Sequence, residues 1–149
     1  MNFPRGITPK ISEAEARALL SRPLRCAGDF AWISQKSEPP ARILSAGIVD
    51  HAGRRTNLAV KLIYTRGVSR TRYLFSVFLL NRSSTERVYQ LEVSHTLRKQ
   101  KDAHAMSHEH IGDRRQNGAA VWQHWSYDEV LAYFCAQTNI SFAPLPPFP

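Results

Sequence analysis

The sequence predicts an α+β domain, with one mainly antiparallel sheet of about five to seven strands between an N-terminal and a C-terminal helix. Three observations predict it. A helix-start signal stands near each end of the chain. Between them lie several runs of alternating or continuous apolar residues. The connections between those runs are too short for the helical crossovers that parallel strands need.

The first helix starts at "ISEAE". Ser12 can cap it, with Glu15 three residues on to close a capping box. It runs over residues 13–21, presents Leu19 and Leu20, and stops before Pro23. Strands follow. Residues 30–35 form a short one, and 42–50 follow Pro39-Pro40 and lead into the "HAGRR" turn. In residues 57–65, Leu58, Val60, Leu62 and Tyr64 share one face. Residues 73–81 are apolar on nearly both faces, which marks a central strand. In residues 87–95, Tyr89, Leu91, Val93 and His95 alternate with Val88, Gln90, Glu92 and Ser94. Residues 96–107 are polar and basic and read as a loop. "HEHIG" and "AVWQHW" read as two short strands around an "RRQNG" turn, where Asn117-Gly118 suits a tight hairpin.

The second helix starts at "WSYDE", capped by Ser126 with Glu129 at N3, and Trp125 and Val130 form a hydrophobic staple. It covers residues 127–138, with Tyr127, Val130, Leu131, Phe134 and Cys135 on one buried face. The proline-rich arm over residues 142–149 continues neither helix nor sheet interior. It packs through Phe142, Leu145 and Phe148, or serves as an extended ligand for a groove on a partner.

At 149 residues and 43% hydrophobic, the chain suits a single domain over residues 1–149 with a real core. No apolar run reaches membrane-span length, and the first residues lack the apolar segment of a secretory signal, so a soluble cytoplasmic protein is expected. Cys26 and Cys135 fit neither a zinc nor a redox spacing and read as reduced, buried thiols.

Charge points to a partner class. The formal net charge is +8, the pI is about 10.0, and 15 arginines stand against 5 lysines. Arginine's planar fork binds phosphate or carboxylate in pairs of hydrogen bonds and stacks on bases. Such a chain suits a polyanion: nucleic acid, with RNA favoured, a ribonucleoprotein, or an acidic protein met by a basic face. Excess charge also serves mere solubility. No acidic residue lies between Asp50 and Glu86, a window that holds Arg54, Arg55, Lys61, Arg66, Arg70, Arg72 and Arg82. Arg98, Lys99 and Lys101 form a second cluster, and Arg114 and Arg115 follow the paired histidines. The nucleic-acid-binding candidates are Arg54, Arg55, Arg66, Arg70, Arg72, Arg98, Lys99, Lys101, Arg114 and Arg115. Tyr64 and Tyr73 are stacking candidates that also fit the core, and Trp122 alternates into the core.

Five of the six histidines fall between positions 95 and 124. On a strand, His108 and His110 share a face opposite Glu109 and Ile111. If residues 87–95 pair with "HEHI" as a wide hairpin, His95 could approach that pair. Three histidines could hold a transition metal, but the carboxylate pattern that usually accompanies such a site is missing, so no metal or cofactor is expected. Metal-independent cleavage of RNA needs a base, an acid and a cation. His95, His108 and His110 are the catalytic candidates, with neighbouring Arg or Lys holding phosphate. Alternatively the histidines line an exposed face, with Glu109 paired to Arg114 or Arg115.

Ser12, Glu15, Ala16, Leu19 and Leu20, then His95, His108, His110, Trp122, Trp125, Cys135, Asn139 and Ile140, resemble the pattern of an uncharacterised group of small bacterial proteins. The histidine content is more loosely similar to toxins of toxin–antitoxin pairs. The loop "LRKQKDAHAMS" departs from the first group's turn. The resemblance implies a setting of mobile elements and defence, and no reaction. The leading expectation is a small basic nucleic-acid- or nucleoprotein-binding module of bacterial defence or counter-defence, such as a CRISPR inhibitor or mobile-element accessory protein. The alternative is a histidine-dependent, metal-independent ribonuclease, as in a toxin of a toxin–antitoxin pair.

Overall fold

A computed structural model describes residues 11–96 and 107–149. Among them the chain forms helix α1 (Glu13–Leu19), strands β1 (Leu24–Cys26), β2 (Ile33–Gln35), β3 (Ala41–Asp50), β4 (Arg55–Arg66), β5 (Arg70–Leu80), β6 (Thr85–Thr96), β7 (His108–Ile111) and β8 (Arg114–Asn117), a 3-10 helix (Ala120–His124), helix α2 (Tyr127–Thr138) and strand β9 (Ile140–Ser141). The α+β expectation with five to seven strands is thereby corrected. The protein is mostly β: among the described residues it forms a large curled sheet of nine strands with two α-helices. The sheet runs β8-β7-β6-β5-β4-β3-β1-β9, and β2 pairs with the other half of the β3 edge that β1 occupies. It is also mixed, because β1 and β9 pair in parallel.

The long antiparallel meander β3–β6 follows from the alternation of its sequence. Leu44, Leu62, Phe75 and Leu91 lie in one row across it and are fully buried. Val60 and Val77 pair in the next row, and Tyr64, Tyr73 and Val93 on the other side. Each such side chain contributes about 1.5–3 kcal/mol on burial. Tyr64 and Tyr73 are therefore core residues, in ring contact at 5.2 Å, and are not available to stack on bases.

Helix α2 lies across this apolar face. Phe134 meets Phe75 edge to face and Tyr89 at a tilt, and Tyr127 meets Tyr73 and Phe75. The reciprocal capping box is present: Glu129 N–H donates to Ser126 Oγ at 3.3 Å, and Ser126 N–H donates to Glu129 Oε1 at 3.2 Å. Helix α1 starts at Ser12, whose Oγ accepts from Glu15 N–H at 3.1 Å, and packs on β6 and β7 through the same side of the sheet. The arm wraps over this side as well. Phe142 is buried against Phe30, Tyr127 Oη donates to the Pro146 carbonyl at 2.8 Å, and Trp32 Nε1 donates to the Pro147 carbonyl at 2.7 Å. Phe148 meets Tyr64 and Tyr127, while Leu145 stays exposed.

Two local readings are corrected. "RRQN" is strand β8 rather than a turn, and the hairpin turns instead at Gly112-Asp113, with Ile111 opposite Arg114. Gly112 sits at φ 57, the positive φ that a two-residue II′ turn needs first. A Cβ there would lie 2.4 Å from the Ser12 carbonyl oxygen. "AVWQH" is a 3-10 helix rather than a strand, because Trp122 packs flat on Gly118, where a Cβ would come within 2.2 Å of the indole. Trp125 stacks on Trp122 at 4.8 Å and meets Tyr133 at 5.1 Å. Finally, β1 and β9, of three and two residues, are too short to show any periodicity.

Cys26 and Cys135 are free thiols, buried and half-buried. Burial pushes them up to about 12 and about 11. Among the described residues, no helix is long and apolar enough to cross a membrane.

Candidate functional site

Every described helix packs on one face of the sheet. The other, open face is laid out by strand register. Its central row runs Ile33, Ile43, Ile63, Leu74, Glu92, His108 and Asn117 across β2 to β8. The row beside it runs Ser45, Lys61, Ser76, Gln90, His110 and Arg115. On its other side lie Thr65, Arg72 and Ser94, with Arg70 two residues before Arg72. A bulge at Val77/Phe78 brings Phe78 opposite Arg87, on this face too. Among the described residues of β3 to β8, the face thus carries Arg55, Lys61, Arg70, Arg72, Arg87 and Arg115 against one carboxylate, Glu92.

That carboxylate is the hub of the histidine site. Glu92 is buried; its Oε1 accepts from Arg72 Nε, and its Oε2 lies 3.3 Å from His108 Nε2. His108 is buried and His110 half-buried, and their rings meet edge to face at 5.0 Å. Arg115 stands directly across from His110. Nearby, Gln90 Nε2 donates to Ser76 Oγ at 3.0 Å, and Arg70 Nη2 to Ser94 Oγ at 2.9 Å. Burial lowers the pKa of Arg87, whose Nε has no hydrogen-bond partner among the described residues.

His95 does not join this group. Strands β6 and β7 pair Glu92 with His108 and Leu91 with Glu109. His95 shares its face with Leu91 and Val93, so it points to the helix-bearing side, opposite His108 and His110. A one-residue difference in register separates this arrangement from convergence, because it moves a whole strand's side chains to the other face. The three-histidine arrangement, as metal site or catalytic set, does not assemble. Among the described residues no group of three His, Cys, Asp or Glu side chains is placed to hold a metal ion.

The same register buries Glu109 on the core side. It accepts from Tyr89 Oη at 2.7 Å and lies 3.4 Å from Gln137 Nε2, so it is not the partner of Arg114 or Arg115. Arg114 pairs with Glu13 at 3.1 Å.

The remaining cations divide. Arg54 and Arg55 lie at the β3–β4 end, where Arg54 pairs with Asp50 at 3.2 Å. Asp50 also accepts the backbone N–H groups of Arg54 and Ala52, which, with the guanidinium, hold its pKa below the usual value. Arg66 and Arg70 lie at the opposite end of β4 and β5, about 35 Å away at the rise of an extended strand. Arg70, Arg72 and Arg115 come together with the open face, and Arg98, Lys99 and Lys101 lie outside the described residues. Lys61, Arg87 and Glu92 were missing from the sequence-based set, although alternation from Leu62 and Leu91 is enough to put Lys61 and Glu92 on the polar face.

Comparison with protein-family models, with characterised proteins and with solved structures finds no match for this chain.

Proposed function

We propose that this chain is a small basic module that binds nucleic acid, RNA in preference, or a ribonucleoprotein, through the open face of its sheet. The observation that carries the reading is the charge of that face: among the described residues of β3 to β8, six cations and one carboxylate on an otherwise polar and apolar surface. Phosphates bind Lys and Arg with release of counterions. The half-buried Ile43, Ile63, Leu74 and Phe78 offer apolar area against which unstacked bases can lie. A broad sheet face suits splayed single strands better than a duplex groove, which favours single-stranded RNA. A role in bacterial defence or counter-defence is what the sequence resemblance adds.

The test is affinity for single-stranded RNA. Lys61→Gln and Arg115→Gln should each weaken binding several-fold. Arg54→Gln, at the far end and paired with Asp50, should leave it unchanged. Open-face variants that bind like wild type would refute the reading. A partner captured from lysate that withstands ribonuclease treatment would reassign the face to an acidic protein.

The Arg72–Glu92–His108 chain beside His110 favours a second reading, metal-independent RNA cleavage. One histidine takes the 2′-hydroxyl proton as that oxygen bonds to phosphorus. The other protonates the 5′ oxygen as its bond to phosphorus breaks. Arg115 or Arg72 faces the phosphorane charge. Cleavage should survive a chelator, disappear in His108→Ala and His110→Ala, and persist in His95→Ala. Wild-type activity in either of the first two variants would remove the assignment.

A further inference from the structure

At the β4–β5 end, on the helix-bearing side, Arg66, Thr71 and His95 form one row across three strands. The 3-10 helix brings Gln123 and His124 over this row, and the turn that carries Ser69 and Arg70 closes it. Together they line a cleft of about 480 Å³. We propose that this cleft is a binding pocket for a phosphate monoester.

Four observations carry the inference. The Arg66 guanidinium and two imidazoles line the cleft, and among the described residues no carboxylate lines it. Arg66 makes no ion pair among the described residues. Among the described residues, His95 Nε2 is buried without a hydrogen-bond partner, a condition that native folds rarely leave uncompensated. The ring itself is fixed, edge-on to Tyr73 at 5.6 Å. A guanidinium without a counter-charge is stabilised by a bound dianion. The Arg66 fork matches phosphate oxygens in pairs, while Ser69, Gln123 and His124 offer further donors. The volume exceeds that of a phosphate group alone and admits the sugar or alcohol that bears it.

This pocket lies across the sheet from the open basic face and does not rest on the reading of that face. Two sources of the phosphate share the same chemistry: the 5′ end of an RNA strand, or a free phosphorylated metabolite.

The experiment follows the imidazole signals of His95 and His124 by NMR as inorganic phosphate is added, with 5′-phosphorylated and 5′-hydroxyl forms of one short RNA compared in parallel. Phosphate should shift both signals saturably, and Arg66→Gln and His124→Gln should each weaken that binding about tenfold or more while their thermal melts stay unchanged. If the source is an RNA end, the 5′-phosphorylated RNA should bind about tenfold more tightly than its twin in wild type and equally in Arg66→Gln. Equal affinity for the two RNAs, with phosphate still bound at the cleft, assigns it to a free metabolite. Imidazole signals unmoved by millimolar phosphate, or phosphate binding unaltered in both variants, would overturn the pocket. Lys61→Gln weakens RNA on the open face without touching phosphate binding here, so the two proposals fail separately.

Discussion

Two side chains on the helix-bearing side show how register decides what a residue does. Glu109 is a carboxylate in the core, 2% exposed, with Tyr89 Oη and Gln137 for company and no cation in contact among the described residues. Glu109→Ala leaves those donors unpaired and opens a void, so it should cost about 2 kcal/mol or more. Glu109→Gln keeps an acceptor at the site and should cost under about 1 kcal/mol. Urea unfolding of both variants checks this, and equal losses would count against the hydrogen-bond account. His95 provides the pH-dependent counterpart. Burial lowers its pKa below 6.5, the backbone at Trp125 partly opposes this, and His124 adds to the lowering. The facing groups are Tyr73 from β5, Arg66 and Arg70 from the hairpin, and His124 from the 3-10 helix. Above pH 6.5 His95 is neutral in both states and contributes no pH dependence. As pH falls below 6.5 the unfolded chain takes up the proton first, so stability falls until the folded pKa is passed and then levels off. His95→Gln should flatten that limb of the melting temperature against pH. A limb that stays equally steep would place its source elsewhere.

The elements differ in how much of them sequence reading can recover, and the reason is length and register. Helix α2 spans Tyr127–Thr138, as its caps and apolar spacing indicate, because a twelve-residue amphipathic pattern with a capping box is locally determined. Ser126→Ala removes the Oγ that accepts from Glu129 N–H and should lower stability by about 1 kcal/mol, with Glu129→Gln losing less. Thermal unfolding of the pair tests whether the box acts as one unit. Strands β4 and β6 were equally legible from alternation, and β5 from a run that is apolar on nearly both faces. The two-residue β9 was not, since its pairing with β1 depends on Asn139, in the left-handed region at φ 56 and donating through Nδ2 to the Leu20 carbonyl. Those are contacts across the chain, absent from any local pattern. The candidate site was half legible for the same reason. His108 and His110 on one face follow from strand geometry alone. Glu92 as their partner, and His95 on the opposite face, depend on which residue of β6 meets which of β7. Only the hairpin as a whole fixes that.

At the scale of the whole molecule, the net charge of +8 is a sum over surfaces with different roles. Arg54 is paired with Asp50, Arg114 with Glu13, and Arg17 with Glu13 in turn. Lys61, Arg70 and Arg115 stand exposed on one open face. If affinity for RNA came from diffuse net charge, removal of any one cation would matter about equally. If it comes from the open face, the salt dependence should belong to that face alone. Each phosphate neutralised on a single strand contributes about −0.7 to the slope of log affinity against log salt. Some four contacts would give a slope of about −3. Lys61→Gln should flatten it by about 0.7, and Arg54→Gln and Arg114→Gln, which remove cations held in ion pairs elsewhere, should leave it unchanged. Fluorescence anisotropy titrations over a salt series measure the slope for each variant. A wild-type slope near zero would exclude a phosphate-binding face. Equal flattening in all three variants would mean that the protein meets RNA as a charged particle, with no defined surface.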